Sequence, residues 1–215
     1  MKKLTFLILA LAAISCSRPA LRSGDLLFVG IPCDYSLDPS AMGSGIAEAT
    51  GRGDINYIHT AILEVGEDNV WVIDATIKRG VARYPLDSFL VDFTLKDGSL
   101  PLLEVMRIKD GPGDLVENAK KFVGQPYDVH FLPDKGCMYC TELVRDSYLA
   151  PDGTPLFPAN PMNFKGPDGE FPEYWQQLFA ALGEEIPQDI PGTNPQDMRD
   201  SPLLEKVNID ITCRE

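Results

Sequence analysis

Met138-Tyr139-Cys140-Thr141-Glu142-Leu143-Val144 sets a cysteine where a loop ends and a helix begins. Residues 141–150 read as helical: Leu143, Val144, Ser147 and Tyr148 share a face, and Pro151-Asp152-Gly153 stops the run. The first N–H groups of a helix are unpaired and carry partial positive charge. A thiolate placed there is stabilised and becomes a usable nucleophile. The plainer reading is a small buried apolar cysteine, and this stretch alone does not separate the two.

The separation lies upstream. A cysteine nucleophile needs an imidazole within hydrogen-bond reach and a third polar group to orient that ring. The chain has two histidines, His59 and His130. His59 lies on a strand over residues 57–65, and residues 70–75 form its hairpin partner after the turn Gly66-Glu67-Asp68-Asn69. Folding the hairpin at that turn is expected to set His59 and Asp74 nearly opposite, with Cβ atoms about 4.5–5.5 Å apart. Asp74 interrupts an apolar run, where a charge is costly unless paired. Each residue alone reads as structural; the trio Cys140, His59 and Asp74 reads as a nucleophile, its base and its orienter. His130 is the rival base, in a loop with Asp128 and Asp134 for company.

Cys137-Met138-Tyr139-Cys140 is also a C-x-x-C, which suits a redox pair, but no βαβ pattern surrounds it. The absence of a second C-x-x-C and of a nearby histidine pair argues against zinc, so no metal or cofactor is expected. Cys33, Cys137 and Cys213 remain as an odd set in which one disulfide has no pairing the sequence can assign.

Other elements follow in order. Strands are expected at 24–29, 80–83 and 102–108. Helices are expected at 46–50, 85–90, 114–123 and 172–182, the last opened by Pro172 and closed by Gly183. Residues 151–206 read as a loop-rich covering segment with that one helix, whose Trp175, Leu178, Phe179 and Leu182 form a core stripe.

Composition narrows the classes. A chain of 215 residues that is 44% hydrophobic suits a single domain, taken as residues 24–206. A net charge of −13 argues against nucleic acid, which demands a basic face. Lys2 and Lys3 precede an apolar run from Leu4 to Ile14, and Ala12-Ala13-Ile14-Ser15-Cys16 closes it. This reads as a lipoprotein signal peptide, residues 1–15, with Cys16 bearing the lipid and residues 16–23 as a tether. Ala13 stands where leucine is usual at such sites, and an ordinary secretory peptide is the other reading. Either exports the chain; the lipoprotein reading anchors it to a membrane of a bacterial envelope.

Gly24-Asp25, Tyr57-Ile58-His59-Thr60-Ala61-Ile62, Val72-Ile73-Asp74-Ala75, Gly124-Gln125-Pro126-Tyr127-Asp128 with Phe131, and Tyr139-Cys140-Thr141-Glu142-Leu143 occur in that order. The set resembles the YiiX/YaeF-type permuted papain-fold amidases, relatives of NlpC-type cell-wall peptidases in which the histidine hairpin precedes the cysteine. The resemblance covers residues 24–150. It implies an α+β, papain-like fold: a curved antiparallel sheet packed on the helix that Cys140 starts. It implies a cysteine amidase or peptidase that uses Cys140, His59 and Asp74, where relatives often have glutamate in the third position. The Cys140 N–H is one expected oxyanion donor, and Tyr139, Tyr127 and Gln125 are candidates for substrate contact. The expected substrate is an amide of the envelope, plausibly a peptidoglycan stem peptide. The alternatives are acyl transfer or thioester chemistry on lipid acyl groups, and a non-catalytic binding module.

Overall fold

The computed structural model describes residues 20–109, 111, 115–133 and 136–212. The expected signal peptide, Cys16, the start of the 114–123 helix and Cys213 lie outside them.

The chain forms β1 (Leu26–Pro32), α1 (Met42–Thr50), β2 (Ile55–Val65), β3 (Val70–Thr76), β4 (Gly80–Pro85), α2 (Leu86–Asp92), β5 (Leu102–Ile108), α3 (Leu115–Lys120) and α4 (Cys140–Ser147). Then come β6 (Asn160–Pro161), α5 (Glu173–Leu182), β7 (Pro191–Gly192), α6 (Pro195–Arg199) and β8 (Leu204–Val207). Among the described residues the main sheet runs β4-β3-β2-β1-β5-β8, and every neighbouring pair is antiparallel. The fold is thus the expected mixture of an antiparallel sheet and packed helices.

Period-two alternation divides the sheet's side chains between two cores. Leu26, Phe28, Ile62, Ile73 and Met106 face α3 and α4, meeting Leu115, Ala119, Leu143, Val144 and Tyr148. Leu27, Val29, Ala61, Leu63, Val72 and Tyr84 face α2 and meet Leu86 and Phe89. A third, aromatic cluster joins Phe131 and Tyr139 to Phe164, Trp175 and Phe179.

Two of the short motifs are structural. Asp25 is buried and accepts from Arg107 Nε at 2.6 Å and Nη2 at 2.8 Å, tying β1 to β5. Tyr148 Oη donates to the Gly24 carbonyl at 2.9 Å, so the chain just past α4 is moored to the start of β1. Removing Arg107 would leave the buried Asp25 carboxylate unpaired, which costs about 3–5 kcal/mol. Gly124 N–H donates to the Val81 carbonyl and Val81 N–H to the Gln125 carbonyl, both at 2.8 Å, which stitches the Gly-Gln-Pro loop to β4. Gly80 is required there: its φ is +65°, and a Cβ would run into the Gln125 carbonyl.

Several expected bounds move. The helix at the cysteine starts at Cys140 itself and ends at Ser147, because Tyr148 turns away to reach Gly24. α3 is shorter than the run 114–123, and β4 continues through Tyr84 to Pro85. Pro172 caps α5 from outside its first turn, and Gly183 takes the left-handed cap at φ 69°. The covering segment holds a second helix, α6, and contributes β8 to the sheet. Asn194 caps α6 by accepting from Asp197 N–H at 2.8 Å.

Candidate active site

His59 and Asp74 meet, though not as direct cross-strand neighbours. Val65 pairs with Val70 and Ile62 with Ile73 across the four-residue turn. Continuing that register sets Ala61 against Asp74 and puts His59 two residues further along, diagonal and on the same face. This corrects the expectation of a directly opposed pair. The reason is local: Gly66 N–H closes the turn on the Asn69 carbonyl at 2.8 Å, which fixes Val65 against Val70. Diagonal neighbours remain within reach of longer side chains.

Registered pairing of β2 with β3 stops at Ile62–Ile73, although β2 begins at Ile55 and β3 runs on to Thr76. On its other side β2 carries an irregularity beside the histidine: Val29 pairs with His59, but Gly30 pairs with Tyr57. The extra residue, Ile58, is a bulge of the kind that re-aims side chains next to active sites. It leaves Ile58 against the α2-side core while Tyr57 joins the α4-side core. His59 is therefore presented where the hairpin's pairing ends, and α4 delivers Cys140 to the same place.

The geometry there is tight. His59 Nε2 lies 3.0 Å from Asp74 Oδ2, with His59 8% exposed and Asp74 fully buried. Tyr84 Oη donates to the same Oδ2 at 3.0 Å. The His59 ring lies 4.7 Å from that of Phe93, which stacks on Phe89 at 4.4 Å. With Nε2 committed to Asp74, Nδ1 is left for the thiol. Burial opposes charge on the ring. Coulombic attraction from the Cys140 sulfur, the Asp74 hydrogen bond and the Cys140 hydrogen bond outweigh it and push His59 up to about 10. Cys140 is 4% exposed, at the first position of α4.

Two cavities reach the sulfur. One, of about 540 Å³, is shared by Cys140, His59, Ile58, Ile77, Phe93 and Tyr127. The other, of about 460 Å³ including its mouth, runs from Cys140 between Ile46, Phe164, Trp175 and Thr193. Tyr127 and Ile46 border both. Among the described residues neither wall contains a Lys, Arg, Asp or Glu.

The substrate-contact candidates divide. Tyr127 borders the sulfur, donates to Met42 Sδ at 3.2 Å, and is held as a protonated phenol by burial and then by the Cys140 charge. Its loop is fixed by Asp128, which accepts from His130 N–H at 2.8 Å and Leu132 N–H at 2.9 Å. These bonds bracket Phe131 at φ 54°, a left-handed conformation rare for an aromatic residue. Tyr139 lines the second cavity, but its hydroxyl is already engaged, accepting from Thr193 N–H at 3.1 Å. Gln125 lines neither cavity. His130 is also elsewhere: its Nδ1 lies 2.8 Å from Glu184 Oε2, and it borders neither cavity. None of the described cysteines, Cys33, Cys137 and Cys140, is disulfide-bonded to another.

Tyr84, Phe93 and Thr193 belong to the site without having been singled out from the sequence. Tyr84 was legible: it shares a face with Ala82, which pairs with Asp74, once β4 is read to its full length. Phe93 and Thr193 carry no pattern of their own and arrive through tertiary packing.

An antiparallel sheet bearing a buried histidine and acid beside a cysteine at a helix start defines a papain-like thiol site. The chain belongs to the family of permuted papain-like amidases, YaeF/YiiX, C92, whose model matches residues 20–208. It is 25% identical over 192 residues to the uncharacterized protein YiiX of Escherichia coli (strain K12), a match covering 86% of this chain and 85% of YiiX. A crystal structure described as metalloprotein yiiX from Escherichia coli O157:H7 superposes with a TM-score of 0.65 at 24% identity, covering 88% of this chain and 97% of that one. That likeness speaks to the fold.

Proposed function

We propose that Cys140, His59 and Asp74 form a catalytic triad that hydrolyses an amide bond through an acyl-enzyme. The observation that carries this is the His59 ring, held by a fully buried Asp74 through Nε2 and stabilised as a cation by Cys140. His59 Nδ1 holds the Sγ proton in an imidazolium–thiolate pair, and the thiolate attacks the carbonyl carbon. The C–N bond breaks as His59 returns the proton to the leaving amine. Water, activated by His59, then adds to the thioester and the C–S bond breaks. The Cys140 N–H at the start of α4 is one donor for the developing oxyanion, and Tyr127, which lines the same cavity, is the side-chain candidate for the second. Asp74 orients the ring, and Tyr84 holds Asp74. The family's amidase description supports this reaction class.

The relative's description as a metalloprotein raises the question of a metal. Among the described residues no group of three or more His, Cys, Asp or Glu is placed to hold one, and no step runs through a metal here. The C-x-x-C redox alternative loses support, because Cys140 is paired with His59 and not with Cys137.

The place of action is the bacterial envelope, with Cys16 carrying the lipid. No described helix is long and apolar enough to cross a membrane, so attachment in this reading rests on that anchor. Cys16→Ser is expected to shift the protein from the membrane fraction to the soluble one; a wild-type chain found wholly in the soluble fraction contradicts the anchor. A stem peptide is the substrate that the resemblance suggests, but stem peptides carry carboxylates. The absence of Lys and Arg from both cavity walls favours the second reading, in which the same triad acts on an apolar acyl group. The reaction itself is tested by incubating wild type and Cys140→Ala with stem-peptide fragments and with N-acylated amines, following amine release by mass spectrometry. Equal release from both proteins removes the triad from the reaction.

A further inference from the structure

We propose that the cavity on the far side of Cys140 from His59 receives the acyl part of the substrate, and that this acyl part is apolar and uncharged. The inference rests on Cys140 acting as the nucleophile with His59 as its acid.

Direction comes first. His59 must hand its proton to the departing nitrogen, so the amine leaves through the cavity that His59 lines. The carbonyl carbon sits on sulfur, and its remaining substituent points away from the imidazole. The space available there is the second cavity, which contains Cys140 but not His59.

The chemistry of that cavity decides what fits. Its walls include Ile46, Ala49, Met162, Phe164 and Trp175, and among the described residues no ionisable side chain other than those of Cys140 and the tyrosines. A carboxylate or ammonium entering it would lose its water and meet no opposite charge, which costs far more than an apolar group gains. The cavity is also small, about 460 Å³ with its mouth included. A short alkyl chain or a single apolar side chain suits that space, and a branched, charged peptide does not.

A second observation points to a ligand in the same place. Thr193 is 7% exposed, lines the cavity, and its Oγ1 is buried with no hydrogen-bond partner. Buried hydroxyls are normally satisfied. The Thr193 backbone is held on both sides, its N–H donating to Tyr139 Oη at 3.1 Å and its carbonyl accepting from Thr141 Oγ1 at 3.0 Å. Fixed against the start of α4, the free hydroxyl is the one polar contact we assign to the bound acyl group, at its carbonyl end.

The test uses acyl p-nitroanilides on the full chain: acetyl, butyryl and hexanoyl, with succinyl and glutaryl as charged counterparts. Acid-quenched samples are weighed intact to detect acyl-Cys140. The thiolate forms the S–C bond, the C–N bond breaks, and p-nitroaniline leaves with the His59 proton. Acylation is expected to quicken along the alkyl series by about fourfold per methylene until the cavity is filled. Succinyl is expected to react at least about tenfold more slowly than butyryl, since a charge buried unpaired costs several kcal/mol. Ala49→Leu, which narrows the cavity, should cut the hexanoyl-to-acetyl ratio about tenfold. Thr193→Val should lower acylation for every member alike. Should either variant misfold, the wild-type series decides by itself. Charged and alkyl acyl groups reacting equally, with acyl-Cys140 detected, would overturn this proposal and leave the triad standing. No acyl-Cys140 from any member, with wild type matching Cys140→Ala, would overturn the triad and this proposal with it.

Discussion

The cleft has two sides of different origin. On the sheet side, β2, β3 and β4 present His59, Asp74 and Tyr84 in one hydrogen-bonded chain. On the other side, the C-terminal segment presents Met162, Phe164, Trp175 and Thr193, an apolar wall with one free hydroxyl. In the proposed reaction the first moves a proton and stabilises charge, and the second encloses a group and excludes charge. The difference separates reactivity, carried by a short-range hairpin, from selectivity, carried by a segment that follows the cysteine in sequence.

Breaking the sheet side should give the largest effects. Cys140→Ala is expected to remove essentially all amidase activity, while Cys137→Ser keeps most of it; equal loss from both would restore the redox reading. His59→Ala should lower kcat/KM by about 10²–10⁴, the usual worth of a positioned acid–base group. Asp74→Asn should cost less, because an amide still holds the ring but does not stabilise its charge. His130→Ala should leave activity within about twofold, as for a surface change away from the site. Double variants within the trio should fall short of additive, since the groups share one step. Steady-state kinetics on one amide substrate checks all of these.

The tail side is probed through stability. Gly192 sits where a Cβ would collide with the Met162 side chain and crowd the Tyr139 hydroxyl. Gly192→Ala should therefore destabilise by about 1–3 kcal/mol, the usual cost of overpacking, and displace the cavity wall. Denaturant titration reads the first and the acyl-group preference reads the second. Tyr84→Phe, on the sheet side, should cost about 1–2 kcal/mol, because it deprives a buried carboxylate of one donor.

A further effect is a pH dependence of stability. Burial, then the charges of Asp146 and Asp128, push Glu142 up to about 8, and its Oε2 has no hydrogen-bond partner. His59 is pushed up to about 10. Both folded values lie above the unfolded ones, so both groups favour the folded state when protonated. Glu142's contribution is complete below about pH 4.5 and is lost as pH rises through about 8. The contribution of His59 is complete below about 6.5 and is lost as pH rises through about 10. Melting temperature should therefore fall from weakly acid to alkaline pH. Glu142→Gln should flatten the part below pH 8 and leave the part above it. A melting temperature that rises across this range would contradict both assignments.

The sequence alone determined the hairpin, the cysteine at a helix start and the pairing of His59 with Asp74. These depend on short-range patterns: period-two alternation, a Gly-to-Asn turn, and a polar break in an apolar strand. Even there the turn's closing bond moved the register, so that His59 sits diagonal to Asp74. Tertiary structure decided the rest. The bulge at Ile58 against β1, the packing of Phe93 against His59 and the docking of Thr193 against Tyr139 each join segments far apart in the chain. No local pattern encodes such contacts, because the residues that make them are ordinary strand, helix-end and loop residues until the cores on both faces of the sheet close around them.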